Sequence, residues 1–205
     1  TENQFYIEKT GLESLNYLLQ IDIFSLFFIC LCFLFIINGS NLIDGFNGLL
    51  GIHSFIILII LSLINLISET SNLNFILFCM SVVILMFIKF NFPRAQMFLG
   101  DSGAYLIGSL IAVSVVSTSI LNPTISPFFF CVLLFYLFFE VFFSFFRKLI
   151  KERKPPLHPD KKHLHMLLYK ILVKKNNDNL KSNYSVSIII NLIYLVLIIP
   201  ATLMM

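Results

Sequence analysis

Three short polar segments carry nearly every residue of this 205-residue chain that could do chemistry. The first is Asn38-Gly39-Ser40-Asn41-Leu42-Ile43-Asp44-Gly45-Phe46-Asn47-Gly48, set between two apolar runs. On a helix, Asn38, Asn41 and Asp44 fall within about 120° of arc, so amides and a carboxylate share one stripe. A carboxylate at the end of an apolar helix is costly unless it is solvated, paired or bound to a cation. Hard oxygen donors of this kind suit Mg²⁺ or Mn²⁺ rather than zinc. The bland alternative is a hydrated turn, because Asp-Gly and Asn-Gly are ordinary turn dipeptides.

The second segment is Met97-Phe98-Leu99-Gly100-Asp101-Ser102-Gly103-Ala104-Tyr105. Asp101 or Ser102 could simply cap the helix that follows. The same geometry would let Gly100 and Gly103 leave backbone amides open to a phosphate, with the Asp101 carboxylate beside it to hold a metal.

The third is Pro155-Pro156-Leu157-His158-Pro159-Asp160-Lys161-Lys162-His163-Leu164-His165. Prolines keep its first part extended, and Asp160 is placed to cap a helix running to about Lys175. Leu164, Leu167, Leu168, Ile171 and Leu172 would form one apolar stripe on that helix, lying on a membrane surface with Lys170, Lys174 and Lys175 toward anionic headgroups. Within such a helix His163 and His165 stand about 200° apart and could not share one metal. They read instead as donors to a phosphate or a sugar hydroxyl. His53, alone on an apolar run, reads as a packed core residue or one bonded to a neighbouring helix. Glu140, among Phe138, Phe139, Phe142 and Phe143 and about two turns before Arg147, reads first as a carboxylate paired with a neighbouring helix, with a role in the site as the lesser alternative.

The elements that must position these residues follow from composition. The chain is 58% hydrophobic and 12% charged, with 24 Phe and a mean hydropathy of +0.92. Soluble domains carry roughly 45–50% apolar and about 25% charged residues, so the bilayer is the natural solvent here. Six stretches are long enough to cross it: 22–39, 49–67, 74–91, 103–121, 127–146 and 184–204. Each must be helical, since backbone groups in lipid have to bond within their own segment. The expected fold is therefore an all-α polytopic bundle of about six transmembrane helices, a single integral membrane domain over 1–205. The four cysteines, Cys30, Cys32, Cys79 and Cys131, lie in apolar runs without metal spacing and read as free, buried thiols. No secretory signal pattern opens the sequence.

Eleven of the 14 Lys and Arg fall within 147–181 against three acids there, a local excess of +8, while the remainder carries three cations against eight acids. The positive-inside rule makes 147–183 a basic cytoplasmic loop with an amphipathic helix, and span parity puts the 40–48 and 92–102 connections on the same face. All three polar segments thus gather on one side. A transporter is disfavoured on that ground, because a path needs polar groups through the depth of the membrane. A non-catalytic membrane scaffold or degenerate relative is the other competing class. No nucleic-acid partner is expected.

In this order and on this face, the segments resemble the polyprenyl-phosphate N-acetylhexosamine-1-phosphate transferase superfamily, glycosyl transferase family 4. Asn41-Leu42-Ile43-Asp44-Gly45-Phe46-Asn47-Gly48-Leu49 resembles its Asn-x-x-Asp-Gly-x-Asp/Asn-Gly-Leu element, and Phe98-Leu99-Gly100-Asp101-Ser102-Gly103 its Phe-x-Gly-Asp-x-Gly. The run from His158 to His165 resembles its histidine loop, and the run from Glu140 to Arg147 the span before that loop. The resemblance implies transfer of a sugar 1-phosphate from a UDP-N-acetylhexosamine to undecaprenyl phosphate, with Mg²⁺ (or Mn²⁺), at the cytoplasmic face of the bacterial inner membrane. Such reactions start lipid-linked O-antigen, teichoic acid and peptidoglycan precursors. It further implies Asp44 and Asp101 as metal-holding residues, catalytic together with His163 and His165, and Asn41, Asn47, Gly100, Arg147 and His158 as substrate-binding ones.

Two departures stand out. Asn47 occupies a position where many relatives carry a second Asp, and an amide cannot act as a base. The family's upstream paired-aspartate motif is missing, since no Asp-Asp pair occurs in the sequence. With Thr1 in place of an initiating Met, the expectation is a C-terminal portion of a longer transferase, inactive alone. Donor sugar and oligomeric state are not encoded in these motifs.

Overall fold

A computed structural model of the chain describes residues 12–153, 155 and 162–204, except for the side chains of residues 71 and 152. A short helix, α1 (Glu13–Leu19), leads into α2 (Asp22–Ile43), which is followed by α3 (Leu49–Ile67), α4 (Ser71–Asn91) and α5 (Gly100–Leu121). Next come a broken pair, α6 (Pro127–Leu133) and α7 (Phe135–Phe146), then α8 (Leu164–Asn176) and α9 (Asn179–Leu203). Among the described residues there is no strand. Among the described residues five helices are long and apolar enough to cross a membrane, or six if the α6/α7 pair counts as one. The protein is an all-α, multi-pass membrane bundle.

The fifth span departs from a straight rod. α6 and α7 meet at 70°, and the break falls at Leu134 (φ −98°, ψ 5°). The Tyr194 hydroxyl of α9 donates to the Leu133 carbonyl at 2.7 Å. A side chain inserted into the ladder in this way is a recognised cause of a sharp kink.

α2 runs between α5 on one side and α7 on the other, and small residues set both distances. A Cβ on Gly108 would come within 2.8 Å of Ile37 Cα, and one on Gly39 within 2.7 Å of the Leu137 carbonyl oxygen. Without a hydrophobic force between helices in lipid, such close backbone approach supplies the packing that holds a bundle together. α3 is the central helix, against α4, α5 and α9. Leu49, Ile57 and Leu61 on α3, and Ile111, Leu133, Leu137 and Ile198 on other helices, are fully enclosed. Polar side chains bolt one end: Asn65 Nδ2 donates to Thr118 Oγ1 (2.8 Å) and Thr70 Oγ1 donates to Asn65 Oδ1 (2.7 Å).

Three expectations change here. The cysteines are free, but Cys30, Cys79 and Cys131 are exposed on the outer faces of their helices and Cys32 is half-buried. Facing outward carries no penalty when the surroundings are lipid. The basic connection is also shorter than 147–183. α7 continues through a wide π turn, Arg147–Glu152, that ends at Arg153 in the left-handed region (φ 51°), and α9 already begins at Asn179, capped by Asp178, which accepts from Lys181 N. Finally, α8 starts at Leu164, not near 160. Its apolar stripe divides: Leu168 and Leu172 pack on the bundle core, while Leu164, Leu167 and Ile171 face outward. Asp160 and His158 lie outside the described residues.

Candidate functional site

The turn from 44 to 48 is where the polar segments meet. α2 ends as Asp44 leaves helical geometry (φ −77°, ψ 52°), Gly45 N bonds Ile43 O at 2.8 Å, and α3 starts after Gly48 in the left-handed conformation (φ 80°). Each remaining strut of the turn comes from a different element. Gly48 N donates to Asn91 Oδ1 (2.6 Å) at the end of α4. Asn47 Nδ2 donates to the Pro93 carbonyl (2.9 Å), and Asn47 N to Asn183 Oδ1 of α9 (2.9 Å). A carboxylate at position 47 could not make the Asn47–Pro93 bond, since an ionised Asp only accepts. The departure at Asn47 is therefore explained by a structural bond.

Asn41, one turn before Asp44, donates through Nδ2 to the Tyr105 hydroxyl at 3.3 Å. That contact ties the end of α2 to the start of α5, where Gly100 (φ 62°) and the exposed Asp101 form the first turn. A side chain at Gly100 would meet nothing within 4 Å, so its backbone lies open. Asp44 is half-buried, and its carboxyl is pushed up to about 6, first by burial and then by the charge of Asp101. Two carboxylates from different helices thus face one electrostatic neighbourhood.

Those two oxygen-donor groups suit a hard divalent cation. No group of three or more His, Cys, Asp or Glu side chains placed to hold a metal occurs among the described residues. Mg²⁺ usually keeps several waters and takes only one or two carboxylates together with substrate phosphates, so the pair fits it.

The histidines arrive from the other side. His163 is not in the helix but precedes it in extended geometry (φ −66°, ψ 154°). The helical angle of about 200° between His163 and His165 therefore does not apply. The two rings are parallel within 2° and 5.4 Å apart between centroids. Both reach Glu140 of α7: His163 Nδ1 lies 3.0 Å from Oε2 and His165 Nδ1 lies 3.2 Å from Oε1. Glu140 pairs with a neighbouring element as its sequence setting suggested. Phe46, inside the 44–48 turn, packs edge-on against His165 (5.5 Å) and against Tyr169 (5.2 Å). The histidine pair is thereby seated beside the Asp44 turn.

Arg147 opens the π turn with its guanidinium carbon 5.6 Å above the Phe143 ring. Asn38 turns back on its own helix, donating to Leu34 O (2.7 Å), and with Tyr105 closes an open groove of about 570 Å³ lined by Ile29, Cys30, Phe33, Leu34 and Ile37. His53 is a core histidine: it is enclosed, its Nδ1 lies 3.2 Å from Asn191 Oδ1, and its ring lies 4.3 Å from Tyr194.

Sequence reasoning did not assign Tyr105, Phe46, Asn91, Asn183 or Tyr136 to the site. The two amides were findable, because a lone Asn at the polar end of an apolar run has few uses other than holding backbone. The aromatic contacts depend on which helices meet, and no local signal carries them.

The model of glycosyl transferase family 4 matches residues 4–119, a stretch that contains Asn41, Asp44, Asn47, Gly100 and Asp101 and ends before Glu140 and the histidines. The chain is 32% identical over 139 residues to the undecaprenyl-phosphate alpha-N-acetylglucosaminyl 1-phosphate transferase of Thermotoga maritima, covering 67% of this chain and 41% of that protein. It is 30% identical over 110 residues to a phospho-N-acetylmuramoyl-pentapeptide-transferase of Streptococcus pyogenes serotype M3, covering 52% of this chain and 33% of the relative. The chain thus matches less than half the length of these curated relatives. No solved structure matches it. On the family match and the motifs inside it, the chain belongs to glycosyl transferase family 4.

Proposed function

We propose that the whole protein transfers a sugar 1-phosphate from a UDP-N-acetylhexosamine to undecaprenyl phosphate, at the cytoplasmic face of the bacterial inner membrane, and so starts a lipid-linked envelope glycan. The observation that carries this reading is the convergence on one turn: the Asn41–Tyr105 bond joins Asp44 to the Asp101 helix, and the Phe46–His165 contact joins it to the histidines. The names of the matched relatives supply the substrate class.

In the reaction an oxygen of the lipid phosphate attacks the sugar-bearing phosphorus of the donor. A new phosphoanhydride bond forms, the bond to the UMP oxygen breaks, and UMP leaves with the electron pair. Such transfers need alignment and charge neutralisation more than covalent help from the protein. Asp44 and Asp101 would hold Mg²⁺ (or Mn²⁺), which when bound neutralises diphosphate charge. His163 and His165 would donate to a phosphate or nucleotide oxygen, and Asn41, Gly100, Arg147 and His158 would contact substrate. Asn47 would act mainly by holding the turn. The apolar groove ending at Tyr105 supports an acceptor with an apolar tail. The outward Leu164, Leu167 and Ile171 of α8, with Lys174 and Lys175 exposed in its last turn, support contact with anionic headgroups.

The test is product formation by full-length protein in membranes supplied with undecaprenyl phosphate and a panel of labelled UDP-sugars. Label entering the lipid fraction with one UDP-hexosamine, and released UMP in equal amount, is the expected result. No lipid-linked label from any donor overturns the reading.

A further inference from the structure

Glu140 is fully buried on a helix segment flanked by phenylalanines, where an ionised carboxylate is tolerated only if its lone pairs are filled. They are filled. Oε2 lies 3.0 Å from His163 Nδ1. Oε1 lies 3.2 Å from each of His165 Nδ1, Leu164 N and the Tyr136 hydroxyl. The Leu164 amide can only donate, so the carboxylate is accepting there. A carboxylate offers about four acceptor sites, and four donors converge on this one.

From this arrangement we propose that Glu140 is a positioning residue of the transfer site: it holds both His163 and His165 in the Nδ1–H form and in parallel. An acceptor-only carboxylate requires the proton on Nδ1 of each ring. Nε2 is then the nitrogen left to meet substrate: as a lone pair it accepts from a hydroxyl, and it donates to a phosphate oxygen only when it too carries a proton. For His165 that atom is buried and, among the described residues, has no hydrogen-bond partner, as expected of a group kept for something not yet bound. Phe46 and Tyr136 fix the same ring from two further sides. Carboxylates that orient histidines through the other ring nitrogen are a general device, and losing one typically costs about 10–100-fold in function. The proposal rests on the reading that these histidines face substrate.

The experiment uses the full-length protein with ¹⁵N-labelled imidazoles, alone and as Glu140→Gln and Glu140→Asp, read by ring-nitrogen chemical shifts and by UMP-exchange kinetics. Wild type should show Nδ1–H at both rings. Glu140→Gln retains a carbonyl for Leu164 N but cannot accept from every donor, so the ring pattern should become mixed and kcat should fall about 10–100-fold with KM nearly unchanged. Glu140→Asp keeps the charge and should recover the ring pattern and part of kcat. A wild-type spectrum with Nδ1 unprotonated at both rings overturns the proposal with no variant needed. So does Glu140→Gln with both readouts unaltered, which is what a residue serving only to cap α8 would give. If wild type exchanges UMP with no UDP-sugar, the transfer reading is lost, while the ring spectra still decide what Glu140 does.

Discussion

Two glycines in the turn that carries Asp44 should respond oppositely to a single methyl group. Gly48 sits at φ +80°, where a residue with a Cβ pays about 1–2 kcal/mol. Its Cβ would also lie 2.7 Å from Phe92 Cδ2 and 3.1 Å from Ile52 Cδ1, and forced overpacking of this kind costs roughly 1–3 kcal/mol. Gly48→Ala should therefore destabilise by about 2–5 kcal/mol, straining the turn that the Gly48–Asn91 bond anchors. Gly45, three residues earlier, has open space around its would-be Cβ, and its substitution by Ala should stay within about 0.5 kcal/mol. Thermal unfolding of the two purified variants in one detergent measures the contrast, with about 2–4 °C expected per kcal/mol for a chain of this size. Equal midpoints, or a larger loss for Gly45→Ala, would refute the steric reasoning.

Two further outcomes follow from the site and the core. Because the folded Asp44 carboxyl titrates at about 6, above its ordinary range, folding favours its protonated form. In metal-free protein its contribution is present at low pH and is lost as pH rises through about 6. A cation needs the ionised form, so Mn²⁺ affinity followed by EPR should fall up to tenfold per pH unit below about pH 6. Asp101→Asn should move that midpoint down, and a pH-independent affinity would contradict the pairing of the two carboxylates. In the core, Asn191→Leu strands the buried His53 Nδ1 and should cost about 1–3 kcal/mol, whereas adding His53→Phe should restore most of the loss. Denaturation of the single and double variants checks this, and strict additivity would be the contrary result.

Much of this arrangement was legible in the chain because membrane helices obey few rules. Apolar length gave the spans, and the cation cluster with span parity brought the connections containing Asp44, Asp101 and His163 to one end before any contact was known. The rest depended on interactions between distant residues. The break at Leu134 has neither Pro nor Gly to announce it, because its partner is the Tyr194 hydroxyl some 60 residues on. A helix start at Asp160 would set His163 and His165 about 200° apart, whereas His163 precedes α8 in extended geometry. In the structure, the Glu140 carboxylate accepts from Leu164 N, so α8 begins there and both rings lie on one side. The Asn47 amide, which cannot act as a base, also donates to the Pro93 carbonyl, a contact between residues too far apart in the chain to be read from it.

The most direct measurement is Mg²⁺-dependent exchange of labelled UMP into a UDP-hexosamine by full-length protein carrying Asp44→Asn, which removes the charge and keeps the shape. Exchange should be abolished at every Mg²⁺ concentration while the protein remains folded in membranes. Full exchange in that variant would contradict the assignment of Asp44 as the residue that holds the metal.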